Sequence, residues 1–310
     1  MDFELPDISG VVPVLPTPFN ADESVDEKGY KKLLEFAATA GCHSVVLPAF
    51  GSEFYKLTAG ERTRILDRAF SVSGEINIIV QCNHISPTVV QELVKDAEKR
   101  GALAINTALP RMMPVDEDQL LQYAGIVCNS TRLPVIIQDY NPGSTIVGLP
   151  FAKRLHEECA NFRFIKFEVP GIGPLIRDIF DATSGRVKVF SGWGGLYMLE
   201  QIPANIAGIM PGLPLADYFN GLWNNAASGN MSTALDMYAG ILPYLSFSLQ
   251  NLEMFHHAEK RLAVRRGILR SAVVRKTTTS PDRYQEKYLE MLLDHTCATI
   301  ERFGLNIKAL

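Results

Sequence analysis

Short apolar, β-branched runs recur along the first two thirds of the chain: Val11–Leu15, Ser44–Leu47, Ile76–Gln81, Ala102–Asn106, Val135–Gln138, Arg163–Phe167, Val187–Phe190 and Ile206–Met210. Between them apolar residues return every three or four positions. This spacing predicts helices over Tyr30–Ala40, Glu61–Ser71, Pro87–Lys99, Glu117–Cys128 and Phe151–Glu158. Strand and helix alternate, which calls for a parallel sheet. Eight such units predict an α/β fold of the (β/α)8 TIM-barrel type. An open doubly wound sheet usually needs fewer strands and often carries a glycine-rich dinucleotide fingerprint, and Gly192-Trp193-Gly194-Gly195 has the wrong spacing for one. After Pro214 the pattern turns to amphipathic helix alone, around Thr233–Ser248, Leu252–Arg270 and Asp282–Phe303, with a loop at 276–282. The expected layout is a barrel over residues 1–225 and a C-terminal helical extension over 226–310.

Composition narrows the class. The chain has 310 residues, 47% hydrophobic and 21% charged, with a formal net charge of −4, so no basic surface points to nucleic acid. No apolar run approaches the roughly 20 residues of a membrane span, and the first ten residues lack the pattern of a secretory leader. A cytoplasmic protein is therefore expected. The five cysteines are scattered, odd in number and without a CxxC pair, which predicts buried free thiols. His256 and His257 are adjacent on a predicted helix and point in different directions, so no metal-ligand pair is expected, nor any cofactor.

Three strand exits carry candidate chemistry. In the sixth strand, Phe-Arg-Phe-Ile-Lys-Phe-Glu-Val, period-two alternation puts Phe164, Lys166 and Glu168 on one face and Ile165 and Phe167 on the other. Burial of a lysine is costly unless it is paired or used, and desolvation in general favours the neutral amine that attacks a carbonyl. A plain buried ion pair that holds the barrel explains the same residues. The fifth strand ends at Tyr140, before an Asn-Pro-Gly turn, on the barrel face where strand C-termini gather; packing alone also accounts for a tyrosine there. The second strand ends in Gly51-Ser52-Glu53, whose amides and hydroxyl suit a carboxylate, although a tight turn into the next helix needs the same residues. Ser191-Gly192 and Gly208-Ile209-Met210, at the seventh and eighth strands, permit close approach of backbone to a small ligand.

In order along the chain, these segments resemble the superfamily of dihydrodipicolinate synthase and N-acetylneuraminate lyase, the class I pyruvate aldolase-like barrels. The likeness spans nearly the whole chain: PVLPTPFNADESVD at 13–26, GSEFYKLTAGER at 51–62, the Tyr-Asn after strand five, the Ile-Lys of strand six 26 residues after Tyr140, and the glycines at 192 and 208. It implies that Lys166 forms an imine with the 2-oxo carbon of a small 2-oxo acid and that Tyr140 relays protons. It assigns Gly51, Ser52, Ser191, Gly192, Gly208 and Met210 to substrate binding, and implies a homo-oligomer, commonly a tetramer.

Departures from the family pattern narrow the substrate. Where relatives place a hydroxyl pair after strand two, this chain has Ala49-Phe50-Gly51-Ser52. Where the synthases have Pro-Tyr-Tyr, it has Pro110-Arg111-Met112, and Ser144 stands in place of an arginine. Dihydrodipicolinate synthesis is not expected. Glu168, on the lysine's own face, suits a general base or acid at C3 or at a departing C4 hydroxyl. The Ile-Lys-Phe-Glu arrangement is similar to that of the 2-keto-3-deoxyarabonate dehydratases of this superfamily. The reading is therefore a hydro-lyase of a 2-keto-3-deoxy sugar acid. The same enamine also serves an aldolase that releases pyruvate and an aldehyde, and a non-catalytic 2-oxo acid binder is the remaining alternative.

Overall fold

The computed structural model describes residues 5–141 and 145–308. In chain order the strands are β1 (Gly10–Val11), β2 (Ser44–Leu47), β3 (Asn77–Gln81), β4 (Ala104–Ala108), β5 (Val135–Asp139), β6 (Phe162–Phe167), β7 (Lys188–Ser191) and β8 (Gly208–Ile209). The helices are α1 (Gly29–Thr39), α2 (Ala59–Val72), α3 (Pro87–Lys99), α4 (Glu117–Cys128), α5 (Leu149–Glu158), α6 (Gly173–Ala182), α7 (Met198–Gln201), α8 (Ala216–Ala227), α9 (Met231–Ser248), α10 (Leu252–Arg265) and α11 (Arg283–Arg302). The sheet order is β1-β8-β7-β6-β5-β4-β3-β2, with β1 beside β8 and each strand from β2 to β7 beside its successor.

The chain divides into two compact units, residues 1–10 with 78–210 and residues 11–77 with 211–310. In the first, β3 to β8 pair in parallel. Their register aligns Gln81 with Asn106, Ala108 with Gln138, Gln138 with Lys166, Lys166 with Phe190, and Phe190 with Gly208. Strands β4 and β5 are buried at every position, the near-continuous apolar run expected of a sheet covered on both faces. In the second unit Val14 bridges in parallel to both Val46 and Gly212. Thr58 caps α2 reciprocally: its hydroxyl accepts from the Glu61 N–H at 3.2 Å, and the Glu61 carboxylate accepts from the Thr58 N–H at 2.9 Å.

The first and last strands are shorter than the apolar runs suggest. Pro13 and Pro16 have no N–H to give a ladder, so β1 stops at Val11 and pairing resumes only as the two bridges of Val14. Pro211 ends β8 in the same way. The boundary expected at 225 falls inside α8.

Candidate active site

Lys166 projects from β6 with 5% of its surface exposed, and Glu168, one residue past the strand, has 6%. The Lys166 ammonium lies 3.1 Å from Glu168 Oε1. Alternation along the strand thus brings the two groups together on one face, as expected. Beside them the sequence left a feature unread. Gln138, in register with Lys166 on β5, donates its Nε2 to Glu168 Oε1 at 2.6 Å. The carbonyl of Gln138 accepts from Gln81 Nε2 at 2.7 Å, and the carbonyl of Gln81 accepts a longer bond, 3.4 Å, from Asn106 Nδ2. A carboxylate can only accept, so Gln138 must turn its NH2 toward Glu168 and its carbonyl toward Gln81; that fixes Gln81 in turn. The negative charge orders three amides in a row, all of them buried.

The other carboxylate oxygen, Oε2, takes the backbone N–H of Trp193. Glycine at 192 is required by the same carboxylate: a Cβ there would lie 2.0 Å from Oε2 and 2.3 Å from Cδ. The glycine-rich exit of β7 is therefore the seat of Glu168. Trp193 holds φ at +46°, a left-handed conformation that costs a bulky residue on the order of 1–3 kcal/mol and that directs its N–H at the carboxylate. Its ring stacks on Tyr140, centroids 6.2 Å apart and planes 22° from parallel. Burial, with a smaller contribution from the Glu168 charge, pushes the Tyr140 phenol up to about 12. It is a neutral hydroxyl near neutral pH, able to hand on a proton and not to hold a negative charge.

Tyr140 is positioned from behind by its neighbour. Asp139, fully buried, accepts two parallel bonds from Arg111 at 2.9 and 2.8 Å and a third from the Val147 N–H at 2.7 Å. Such a fork is directional as well as strong. It ties the exit of β4 to both ends of the loop after β5. Ser144, expected in that loop, lies outside the described residues.

The remaining expected residues divide. Register places Ser191 beside Phe167 and Ile209, on the face opposite Lys166. Its Oγ is buried without a partner, and its carbonyl accepts the Met210 N–H at 3.0 Å. Gly208 is on the lysine's face, but a Cβ there would lie 2.0 Å from the Gly10 carbonyl oxygen, so it is glycine for the strand packing. Met210 is 2% exposed. In the second unit, Ser52 gives its hydroxyl proton to the Leu15 carbonyl at 2.6 Å and its N–H to the Ala49 carbonyl at 2.9 Å. Gly51 packs where a Cβ would lie 3.0 Å from Val14 Cγ1 and 3.2 Å from Phe255 Cε1. Both residues serve the turn after β2: neither of the Ser52 hydrogens is left for the carboxylate that the sequence suggests. All five cysteines are free and buried. Among the described residues no three His, Cys, Asp or Glu side chains are grouped to hold a metal, and no helix is long and apolar enough to cross a membrane.

The model of the Dihydrodipicolinate synthetase family matches residues 7–295. The chain is 25% identical over 246 residues to an L-2-keto-3-deoxyarabonate dehydratase of Azospirillum brasilense, covering 76% of this chain and 78% of that one. Among solved structures it is similar to a dihydrodipicolinate synthase from Rhodopseudomonas palustris, with a TM-score of 0.87, 21% identity, and 94% of this chain and 98% of that chain covered. It is also similar to a sialic acid aldolase from Ruminococcus gnavus, with a TM-score of 0.86, 15% identity, and 96% and 100% covered. The fold is that of these proteins, a (β/α)8 barrel with C-terminal helices.

Proposed function

Since the chain belongs to the dihydrodipicolinate synthetase family, whose members are lyases, we propose that it is a Schiff-base lyase that dehydrates a 2-keto-3-deoxy sugar acid. One observation carries this reading: the pairing of Lys166 with a carboxylate, Glu168, that is seated by Gly192 and held by Gln138 and Trp193. A buried ion pair kept only for stability needs no such fixed geometry. A group meant to take a proton from a defined carbon does.

In this reading Glu168 takes a proton from the Lys166 ammonium 3.1 Å away, and the free amine adds to the C2 carbonyl. Glu168 returns that proton to the hydroxyl of the adduct, which leaves as water, and the resulting protonated imine withdraws electrons from C3. A C3 proton passes to Glu168 and the electron pair forms the enamine. The enamine then expels the C4 hydroxyl, which leaves as water with a proton from Glu168 or from the neutral Tyr140. A proton then shifts from C5 to C3, which turns the C5 hydroxyl into an enol, and hydrolysis of the imine with ketonisation frees the oxo-acid semialdehyde and restores the amine. The same reading takes a small 2-oxo acid as the ligand, a homotetramer as the assembly and the cytoplasm as its place.

Incubation with 2-keto-3-deoxy pentonates and hexonates, with products identified by NMR, tests the choice. An oxo-acid semialdehyde is expected. Pyruvate plus an aldehyde would replace the hydro-lyase with an aldolase, and turnover of none would leave a binder of 2-oxo acids.

A further inference from the structure

Lys166 and Glu168 lie toward the C-terminal ends of the strands of the first unit, whereas a cavity of about 570 Å³ opens at the N-terminal ends of β5, β6 and β7. Its lining includes two thiols, Cys128 and Cys159, and three arginines, Arg132, Arg163 and Arg186. Cys128 is the last residue of α4 and Cys159 the residue that closes α5. Asn161 fixes the turns that present them. Its Nδ2 donates to the carbonyls of Cys128, Thr131 and Leu133, at 3.0, 3.0 and 3.1 Å. Both thiols line this one cavity, and a hydrogen-bonding interaction between them shifts both. That hydrogen bond raises Cys128 well above the usual thiol range and lowers Cys159, against burial and the nearby Glu158 charge.

The arginines bear a charge that the cavity does not neutralise. Arg163 donates its Nε to the Arg186 carbonyl at 2.9 Å, and among the described residues no carboxylate pairs with any of the three guanidinium groups. Glu158 alone opposes them in the lining. A concave surface with excess positive charge draws anions to the sulfurs at its wall.

We propose that Cys128 and Cys159 are a reversible redox pair whose oxidant is a small anionic disulfide, of the glutathione disulfide class, admitted through this arginine-lined cavity. The Cys159 thiolate attacks one sulfur of the oxidant. The oxidant's S–S bond breaks, and one half leaves as a thiolate that takes up a proton. The Cys128 thiolate then attacks the Cys159 sulfur and releases the second half, which takes up the proton that Cys128 gave up. Two thiols have become one disulfide, and one disulfide has become two thiols. The new bond joins the segment before β5 to the segment before β6, the strands that present Tyr140 and Lys166. This inference stands independently of the reaction proposed above.

The test treats the reduced full-length protein with glutathione disulfide and follows intact mass and peptide maps. Expected are the loss of two hydrogens and a cross-linked pair of peptides containing Cys128 and Cys159. Cys128→Ser should stop at a mixed disulfide on Cys159, and Cys159→Ser should leave Cys128 unmodified. The double variant Arg163→Ala, Arg186→Ala should slow oxidation by glutathione disulfide about tenfold or more, yet leave oxidation by uncharged hydroxyethyl disulfide unchanged. Free thiols at both positions of the wild-type protein after treatment would overturn the redox pair, and so would modification confined to Cys42, Cys82 or Cys297. Equal slowing with both reagents would overturn the anionic oxidant.

Discussion

Gly192→Ala is the sharpest perturbation available, because it adds one methyl group at the point where Glu168 is seated. The new Cβ would lie 2.0 Å from Glu168 Oε2 and 2.6 Å from Oε1. Nonbonded carbon and oxygen do not approach closer than about 3 Å, so the carboxylate must retreat by about 1 Å. Residue 192 has φ at −94°, so the penalty is steric and not that of a left-handed backbone. The retreat carries Oε2 off the Trp193 N–H and changes the 2.6 Å bond from Gln138 and the 3.1 Å contact to Lys166. A misplacement of about 1 Å at a catalytic group costs roughly 10²-fold in rate, equivalent to about 2.7 kcal/mol of barrier. The suitable assay is exchange of the pyruvate methyl protons with deuterium, read by NMR, because exchange needs imine formation and C3 proton removal but no particular sugar acid. The variant should exchange about 10²-fold more slowly than wild type with an unchanged circular dichroism spectrum. Exchange within threefold of wild type would refute the assignment of Glu168 as the base at C3.

Three further outcomes are expected. Gln138→Leu removes one donor from the buried Glu168 carboxylate and the acceptor of Gln81 Nε2; a stability loss of about 2–4 kcal/mol by urea unfolding and a 10–100-fold slower exchange should follow. Tyr140→Phe keeps the ring on Trp193 and removes the hydroxyl, so turnover should fall about 10–100-fold; an unchanged rate would remove Tyr140 from the proton path. Burial raises Glu259 from the ordinary carboxylate range to about 7, and its Oε1 accepts from the Tyr244 hydroxyl at 2.8 Å while Oε2 has no partner. A carboxyl raised on folding binds its proton more tightly in the native state, so its contribution is full below about 4.5 and is lost as pH rises through about 7. Glu259→Gln should therefore be more stable than wild type above pH 7, by up to ~3 kcal/mol, with the difference shrinking toward pH 4.5. Parallel melts at pH 5 and pH 8 check the sign, and a difference that grows toward low pH would contradict it.

Much of the fold was legible because the cue was periodic. Eight apolar runs alternating with helical segments implied the strand order, and alternation within β6 put Lys166 and Glu168 on one face. Local backbone chemistry was less visible: Pro13 and Pro211 shorten β1 and β8 although their flanks are apolar. Helix α6 begins among Gly171, Gly173 and Pro174, a stretch for which the periodicity predicted no element, although proline suits a first helical turn. The surroundings of Glu168 were largely hidden, because Gln81, Asn106 and Gln138 sit in three different strands and meet only through inter-strand register. A faint cue existed: each amide follows a β-branched apolar residue within a buried strand, and a buried amide needs a partner. Trp193 lay in a segment read only as a glycine-rich turn, and its backbone N–H, the part that acts, leaves no trace in sequence. The partner of Ser52 was hidden for a related reason. Its hydroxyl is committed to the Leu15 carbonyl, 37 residues away along the chain.

The central claim is that the amine of Lys166, and no other, condenses with a 2-oxo acid. Lys166 is 5% exposed and Lys260 1%, and burial lowers Lys260 to about 8 while its amine is bound to Glu53 and to the Val273 carbonyl. Borohydride reduction in the presence of pyruvate, followed by peptide mapping, separates them. A reduced adduct on Lys166, absent from Lys166→Met, is the expected result; an adduct on Lys260, or none anywhere, would contradict the claim.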